Sequence, residues 1–476
     1  MPTVYLSPGV YVEEVPSGSA PIAGVGTSTA GFIGVISELA TASKETKPLA
    51  IVKETNDAKS YIQPLANVTG EKVGVGDGAK TVFKLSAYPV TNVEVKVKGS
   101  NVKVTLQQDA QKRESRIQFA KAPESESEIV ADYSRIVRSS PAGEVQLCTN
   151  FTEFKNAFGD FSNSNIQQRT LAHAVFGFFR NGGTRCFVVW VNSIAELDGA
   201  LEQFEAIDEI AIVAAPGLID SQEGDAVVHG KLNDHCKKMG DRVAVLDSRA
   251  EVTLSSAASI NALKPFNSDY AALYFPWLQV YDSASDSNIY VPPSGHIAGV
   301  YARVDGQRGV FKAPANEAIL GAVGLKYNVS KSQQDGLNPQ GINCIRNVNG
   351  NIRVWGARTL GGDANLDFKY ISVRRLFNYL RESIDEGTQW SVFEPNTPEL
   401  WAKIRRNVNA FLLTVWRSGA LFGDTPEQAF FVKCDAETNP PDLRENGQVV
   451  TVIGVSVAKP AEFVVFRISQ WSGENR

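Results

Sequence analysis

The strongest constraint on the fold is a series of short runs that are apolar at almost every position. These runs are Cys186–Val191, Ile210–Ala215, Val243–Asp247 and Ala271–Phe275. A strand with no polar face must be covered on both sides. Segments with helical periodicity lie between the first three runs. Continuous apolar strands that alternate with helices predict a largely parallel sheet with helices on both faces.

Residues 68–137 follow a different pattern. Val93, Val95 and Val97 alternate with charged residues, and turn-forming pairs such as Asp77-Gly78 separate similar segments. Alternation with a period of two predicts antiparallel strands that have one solvated face. We therefore expect a small β-sandwich on the surface, inserted into a central α/β domain that comprises residues 21–67 and 138–360.

The chain then becomes helical and ends in strands, which predicts a C-terminal α+β domain over residues 361–458. Two amphipathic helices are predicted here from their apolar stripes. The stripe of the first helix comprises Tyr370, Val373, Leu376, Phe377, Leu380 and Ile384. The stripe of the second helix comprises Leu400, Ile404, Val408, Phe411, Leu412 and Val415. The predicted fold class is thus multidomain α/β and α+β, with a small inserted β-sandwich and extended terminal arms at 1–20 and 459–476.

Each arm contains a strand-like run that prolines separate from its neighbours. The N-terminal run lies between Pro8 and Pro16, and the C-terminal run follows Pro460. Their apolar residues are Val10, Tyr11, Val12 and Val15, and Phe463, Val464, Val465, Phe466 and Ile468. A terminal strand this apolar needs a partner. It can pair within its own sheet, which is the commoner outcome, or it can add to the sheet of a neighbouring subunit.

Composition excludes several classes of protein. The net charge of −5 does not suggest a partner among nucleic acids or anionic membranes. No apolar run approaches the roughly 18 residues of a membrane span, and the first residues lack the features of a secretory signal. Five well-separated cysteines predict buried free thiols in a reducing cytosol, namely Cys148, Cys186, Cys236, Cys344 and Cys434.

No catalytic, cofactor or metal site is predicted. The four histidines, His173, His229, His235 and His296, lack a zinc-type spacing. Gly74–Thr81 resembles a phosphate loop, but Ala79 interrupts the Gly-Lys pair and a strand follows, so a hairpin turn is favoured. Because fold does not fix function, an α/β enzyme of unknown substrate stays as an alternative.

Two pairs of arginines lie on the predicted polar faces of the long helices. They are Arg374-Arg375 and Arg405-Arg406. We expect solvated faces there, with a charged contact to a partner protein as the functional alternative.

Several motifs resemble those of the sheath proteins of contractile phage tails and related phage-tail-like injection systems. The similarity extends over nearly the whole chain outside 68–137. It includes SPGVYVEE at Ser7–Glu14, VPPSGHIAG at Val291–Gly299, GVFKAPAN at Gly309–Asn316, WGARTL at Trp355–Leu360, and the region from Tyr370 to Ile468.

The resemblance implies a structural protein rather than an enzyme. Sheath subunits form stacked hexameric rings around an inner tube and contract to drive it through a target envelope. The implied partners are other copies of the chain, the inner tube protein, and baseplate and tail terminator or cap proteins. The resemblance also implies assembly in the bacterial cytoplasm and terminal arms that add strands to a neighbour. Arg405 and Arg406 are candidates for contact with the inner tube. A sheath of a type VI-like secretion system is an alternative, although such sheaths usually divide between two chains.

Overall fold

The computed structural model describes residues 21–36, 50–53, 60–63, 65–86, 90–109, 114–136, 142–162, 165–218, 224–252 and 263–467. Val10, Tyr11, Val12, Val15 and Ile468 of the predicted arm strands lie outside these residues. Among the described residues, no helix is both long enough and apolar enough to cross a membrane.

In the described residues before 137, the regular elements are all strands. They are β1 (Ala30–Val35), β2 (Ala50–Lys53), β3 (Ser60–Gln63), β4 (Leu65–Val75), β5 (Val82–Lys84), β6 (Val90–Val97), β7 (Ser100–Val102), β8 (Val104–Asp109), β9 (Glu114–Phe119) and β10 (Glu128–Ile136).

Residues 146–354 contain both strands and helices. They are β11 (Gln146–Cys148), α1 (Phe151–Phe158), α2 (Ile166–Arg180), β12 (Cys186–Val191), α3 (Leu197–Glu205), β13 (Ile212–Ala214), α4 (Gly224–Met239), β14 (Val243–Asp247), β15 (Ala271–Phe275), β16 (Leu278–Asp282), β17 (Ser287–Val291), α5 (Ser294–Arg308), β18 (Glu317–Ala318), β19 (Ala322–Leu325), α6 (Lys331–Leu337), β20 (Ile342–Val348) and β21 (Asn351–Val354).

The last part of the chain is mainly helical. It consists of α7 (Ile371–Thr388), α8 (Pro398–Arg417), α9 (Pro426–Ala429), β22 (Phe430–Lys433), α10 (Pro441–Glu445) and β23 (Val452–Val455).

A nine-stranded sheet organises the central part, in the order β11-β12-β1-β13-β14-β15-β20-β21-β18. The six strands from β12 to β20 run parallel, and antiparallel strands flank them on both sides. Phe32 and Trp190 face a core shared with α1, α2 and α5. Ile33 and Val189 face a second core shared with α3 and α4. The prediction of a mainly parallel sheet covered on both faces is confirmed.

The inserted strands form two sheets, β4-β10-β6-β7 and β5-β9-β8, around a shared apolar core. Strand β9 alternates between buried and half-buried residues, as the sequence pattern predicts. The hairpin prediction at Gly74–Thr81 is wrong, because β4 and β5 belong to different sheets and this turn carries the chain from one to the other. The Asp77 carboxylate stabilises the turn by accepting hydrogen bonds from the backbone N–H groups of Ala79 and Lys80, at 2.9 and 2.7 Å.

Contacts divide the chain into two compact units. One consists of residues 26–375, and the other contains residues 376–476 together with the first 25. This division falls inside α7, whereas the sequence suggested a boundary between 360 and 361. The difference arises because Ile371 is buried in the core of the nine-stranded sheet and its N–H donates to the Ala357 carbonyl at 3.0 Å. In the smaller unit, the apolar stripe predicted for α8 is buried.

Candidate intersubunit surface

The smaller unit contains a two-stranded antiparallel sheet made of β22 and β23. Within the described residues no third strand joins it, so each strand is an edge. The Ser456 N–H donates to the Ala429 carbonyl at 2.8 Å. In an antiparallel ladder every second residue bonds to the partner strand, so this bond shows which residues of β23 face β22. By that alternation, the N–H and C=O groups of Ile453 and Val455 point away from β22. A strand from another chain can therefore pair with β23 at these residues.

One face of this sheet is apolar and exposed. Phe431 is 56% exposed and Val452 is 43% exposed, whereas Phe430 on the opposite face is buried. The Phe431 ring lies over Gly454, where a Cβ atom would come within 2.1 Å of the ring. The Phe431 ring can therefore lie there on the sheet only because Gly454 has no side chain.

The C-terminal run is neither a strand nor buried in the described residues. Phe463, Val464, Val465 and Phe466 are 71%, 69%, 77% and 84% exposed, and residues 461–467 have no regular secondary structure. The prediction of a strand is thus not met within a single chain, and neither is pairing within its own sheet. Sequence reveals the β propensity of this segment, but a strand forms only where a partner edge is present.

The two pairs of arginines differ from their predicted setting. Arg374 and Arg375 are buried, so the expectation of a solvated face is wrong for this pair. Arg374 forms an ion pair with Asp269 at 3.1 Å, and its guanidinium lies over the Phe368 ring. Asp269 is more than 100 residues from Arg374 in sequence, so helical periodicity could not reveal this ion pair.

Arg405 and Arg406 separate into two roles. Arg405 is half-buried and its Nη1 donates to the Cys434 carbonyl at 3.0 Å, so it holds α8 against the end of β22. Arg406 is exposed on the outer side of α8. Only Arg406 therefore presents its side chain for a contact with another protein.

Burial governs the pKa values of the four histidines. Burial lowers the pKa of His229 and His235 to about 4, and that of His296 to about 3. Burial also lowers the pKa of His173, although its Nε2 lies 3.0 Å from Asp282. The five cysteines are buried free thiols. No cluster of three or more metal-ligating side chains occurs among the described residues.

Asp247 is one of the buried carboxylates that the sequence did not reveal. It lies at the carboxyl end of β14, where α/β enzymes often bind ligands, and burial raises its pKa to about 7. Its two oxygens accept hydrogen bonds from the Ser294 N–H at 2.7 Å and the Ser294 hydroxyl at 2.6 Å. Both residues are buried, so Asp247 serves to anchor the start of α5.

Two family models together match more than half of the chain. The model of the phage tail sheath protein central domain matches residues 193–360, and that of the phage tail sheath C-terminal domain matches residues 363–470. The chain belongs to the contractile tail sheath proteins. The second match includes both the β22–β23 sheet and the exposed C-terminal run.

Individual sheath proteins show the same relationship. The chain is 28% identical to the tail sheath protein of Vibrio phage KVP40 over 41% of this chain and 29% of that one. It is 26% identical to a putative prophage major tail sheath protein of Pseudomonas aeruginosa UCBPP-PA14 over 49% of this chain and 59% of that one. The chain thus spans only part of the length of these relatives. They are structural sheath proteins and not enzymes.

A solved sheath assembly has the same fold over almost the full length. It is the PVC sheath complex of an extracellular contractile injection system in the contracted state, with 25% identity and a TM-score of 0.63. The match covers 99% of this chain and 100% of the other. The chain is therefore a structural component of a phage tail or a phage-tail-like particle.

Proposed function

We propose that this sheath protein polymerises as stacked hexameric rings around an inner tube and contracts to drive that tube through a target envelope. Its partners are then further copies of itself, the inner tube protein, and the baseplate and terminator or cap proteins at the two ends. Assembly takes place in the bacterial cytoplasm.

The observation that supports this proposal is the exposed run from Phe463 to Phe466. Burying a side chain of this kind stabilises by roughly 2 kcal/mol, so leaving four of them in water is unfavourable. A neighbour's β22–β23 sheet offers both an unpaired edge at Ile453 and Val455 and an apolar face around Phe431. The C-terminal run of one subunit adds as a strand to this sheet of the next subunit.

Strand addition alone provides a modest bond. Each backbone hydrogen bond contributes roughly 0.5–1.5 kcal/mol net, which is too little to hold a subunit of this size by one short strand. If both terminal arms of every subunit engage neighbours, the linkage becomes multivalent and much stronger. The N-terminal residues Val10, Tyr11, Val12 and Val15 supply the second arm in this proposal.

Contraction proceeds without nucleotide hydrolysis in this proposal. The free energy is stored when the extended lattice assembles, and it is released when rigid subunits repack against one another. The two-sided core of the nine-stranded sheet suits a subunit that moves as a rigid body. The arms keep neighbouring subunits connected while their bodies rotate.

Arm exchange can be tested with variants of the full-length protein. Successive N–H groups of a strand point in opposite directions, so one of any two neighbours must face the accepting edge. Replacing both Val464 and Val465 with proline therefore removes a required donor. The matched control replaces both with threonine, which keeps the donors and the β propensity.

We expect the wild type and the threonine control to form tubes in negative-stain micrographs. The proline variant and a variant that lacks residues 463–476 should remain folded by circular dichroism but should not polymerise. Normal tubes from the proline variant or the truncated protein would contradict strand exchange by this arm.

A further inference from the structure

A tight turn connects α7 and α8 through residues Ser391–Glu394. The Glu394 N–H donates to the Ser391 carbonyl at 3.3 Å. Val392 has φ −70° and ψ 132°, and Phe393 has φ +66°. These angles describe a type II turn, in which the third position favours glycine because its φ is positive. Phenylalanine is an unfavourable residue for this position.

Within the part of the chain that the structure describes, no packing of the Phe393 side chain offsets this backbone conformation. Phe393 is 103% exposed and Val392 is 56% exposed. The turn therefore presents a large apolar ring to water from a conformation that is itself unfavourable. A strained residue with no internal compensation indicates a role in contact with another molecule. We refer to Val392 and Phe393 as the tip.

A second exposed aromatic residue lies beyond the opposite end of α8. Phe422 is 73% exposed, and it follows the end of the helix at Arg417. The indole N–H of Trp416 donates to the Gly423 carbonyl at 2.9 Å, which holds the residue after Phe422 against the last turn of α8. The 20 residues of α8 separate the tip from Phe422 by about 30 Å. The tip of one chain therefore cannot reach Phe422 of the same chain.

We propose that the tip of one subunit packs against the exposed Phe422 side chain of a second copy of the chain. This inference rests on the proposed function, because it requires subunits to be adjacent in a polymer. A second copy is the partner that the solved sheath complex supplies, since the chain matches a sheath subunit over nearly its full length. A contact between different patches on two copies is heterologous, so it propagates into rings or helical polymers instead of closing as a dimer.

The variant Phe393→Gly separates this intersubunit role from a purely local role of the turn. Glycine suits the third position of a type II turn, so the melting temperature of the unassembled subunit should stay the same or rise. The protein concentration needed for tube formation should nevertheless increase about tenfold or more, because an aromatic side chain is no longer buried between subunits.

Phe422→Ser should raise the assembly concentration by a similar factor. The double variant should be little worse than either single variant, because both remove the same contact. Asn349→Gly is the matched control: Asn349 is also exposed and has φ +52°, and this change should leave assembly unaltered.

The outcomes separate the inference from the proposed function. Tube formation by Phe393→Gly at the wild-type concentration overturns the tip contact, and so does strict additivity of the two substitutions. Normal tubes that no longer retain an inner tube would also overturn it, since the tip would then bind the tube. Failure of the wild-type chain to form tubes under any condition would count against the proposed function instead.

Discussion

Arg375 is buried beside Asp305, and its guanidinium donates to both oxygens of the Asp305 carboxylate. Only 3% and 5% of the two side chains are exposed. The same carboxylate accepts a hydrogen bond from the Thr27 hydroxyl at 2.6 Å, and Arg375 donates to the Thr27 carbonyl at 2.9 Å. Thr27 and Arg375 lie close to the two points where the chain leaves the larger unit. The ion pair therefore fixes both of these points to α5.

Removing the charge of Asp305 should destabilise the protein strongly. Asp305→Asn leaves the Arg375 guanidinium buried without its counter-charge, which costs about 3–5 kcal/mol. We expect a marked fall in the urea midpoint of the larger unit. The double variant Asp305→Leu with Arg375→Met should recover part of this loss, because it leaves no buried charge. A change below about 0.5 kcal/mol in Asp305→Asn would show that the ion pair is not needed for stability.

Two glycines allow α5 to approach α2 closely. A Cβ atom on Gly295 would lie 2.3 Å from the Ala174 carbonyl oxygen, and one on Gly299 would lie 2.4 Å from the Phe178 carbonyl oxygen. These are backbone atoms and cannot move aside. Gly295→Ala should therefore cost about 3 kcal/mol by overpacking. Thermal unfolding of the variant would measure this loss.

Gly306 provides the matched control in the same helix. It is exposed, and a Cβ atom there would meet nothing within 4 Å. Gly306→Ala should stabilise the protein by roughly 0.5–1 kcal/mol, since alanine is the better helix former. If both substitutions have the same sign, close packing of α2 and α5 is not what requires glycine at Gly295.

The sequence predicted the elements whose pattern is local. The apolar runs at Cys186–Val191 and Val243–Asp247 indicated the parallel sheet because a strand covered on both faces has no polar side. The glycines at Gly295 and Gly299 were recognised only as part of a motif. Their close approach to α2 depends on which helix lies opposite, and periodicity carries no information on that.

Two other features depend on partners that are distant in sequence or absent from the chain. Arg374 and Arg375 lie off the apolar stripe of α7, so their pattern predicted a solvated face. Both are buried, and each forms an ion pair with an acidic residue of another segment. The run from Phe463 to Phe466 has a high β propensity, but propensity does not specify which chain supplies the second strand. The sequence thus predicted which apolar residues form the C-terminal run, but not that the run stays exposed and unpaired within a single chain.

Buried histidines should make the protein less stable as the pH falls below about 6.5. The pKa of His296 is about 3 in the folded protein because of burial, with smaller contributions from His173 and Arg180, whereas an unfolded histidine has a pKa of about 6.5. Between these values the unfolded chain binds a proton that the folded chain does not. Each such histidine therefore lowers the free energy of unfolding by at most about 1.4 kcal/mol for each unit that the pH falls in this range.

The effect of His296 can be isolated by substitution. Asp247 opposes the trend, since its raised pKa of about 7 lets the folded state bind a proton that the unfolded state releases. Comparing His296→Leu with the wild type cancels that contribution. The gap between their urea midpoints should shift in favour of the variant between pH 7.5 and 5.5. A gap that does not depend on pH would mean that His296 titrates normally in the folded protein.

Charge reversal at Arg406 tests the proposed contact with the inner tube. Arg406 is exposed on α8, so Arg406→Glu should change the free energy of unfolding by no more than about 0.5 kcal/mol. If this face of α8 binds the tube through charge, the variant sheath should polymerise but lose the inner tube during purification. Arg444→Glu is the control for the change in net charge, because Arg444 is exposed and belongs to α10, not to this face of α8. Equal retention of the tube by the Arg406→Glu and wild-type sheaths would place the tube contact on another surface, whereas loss in both variants would indicate a general effect of charge.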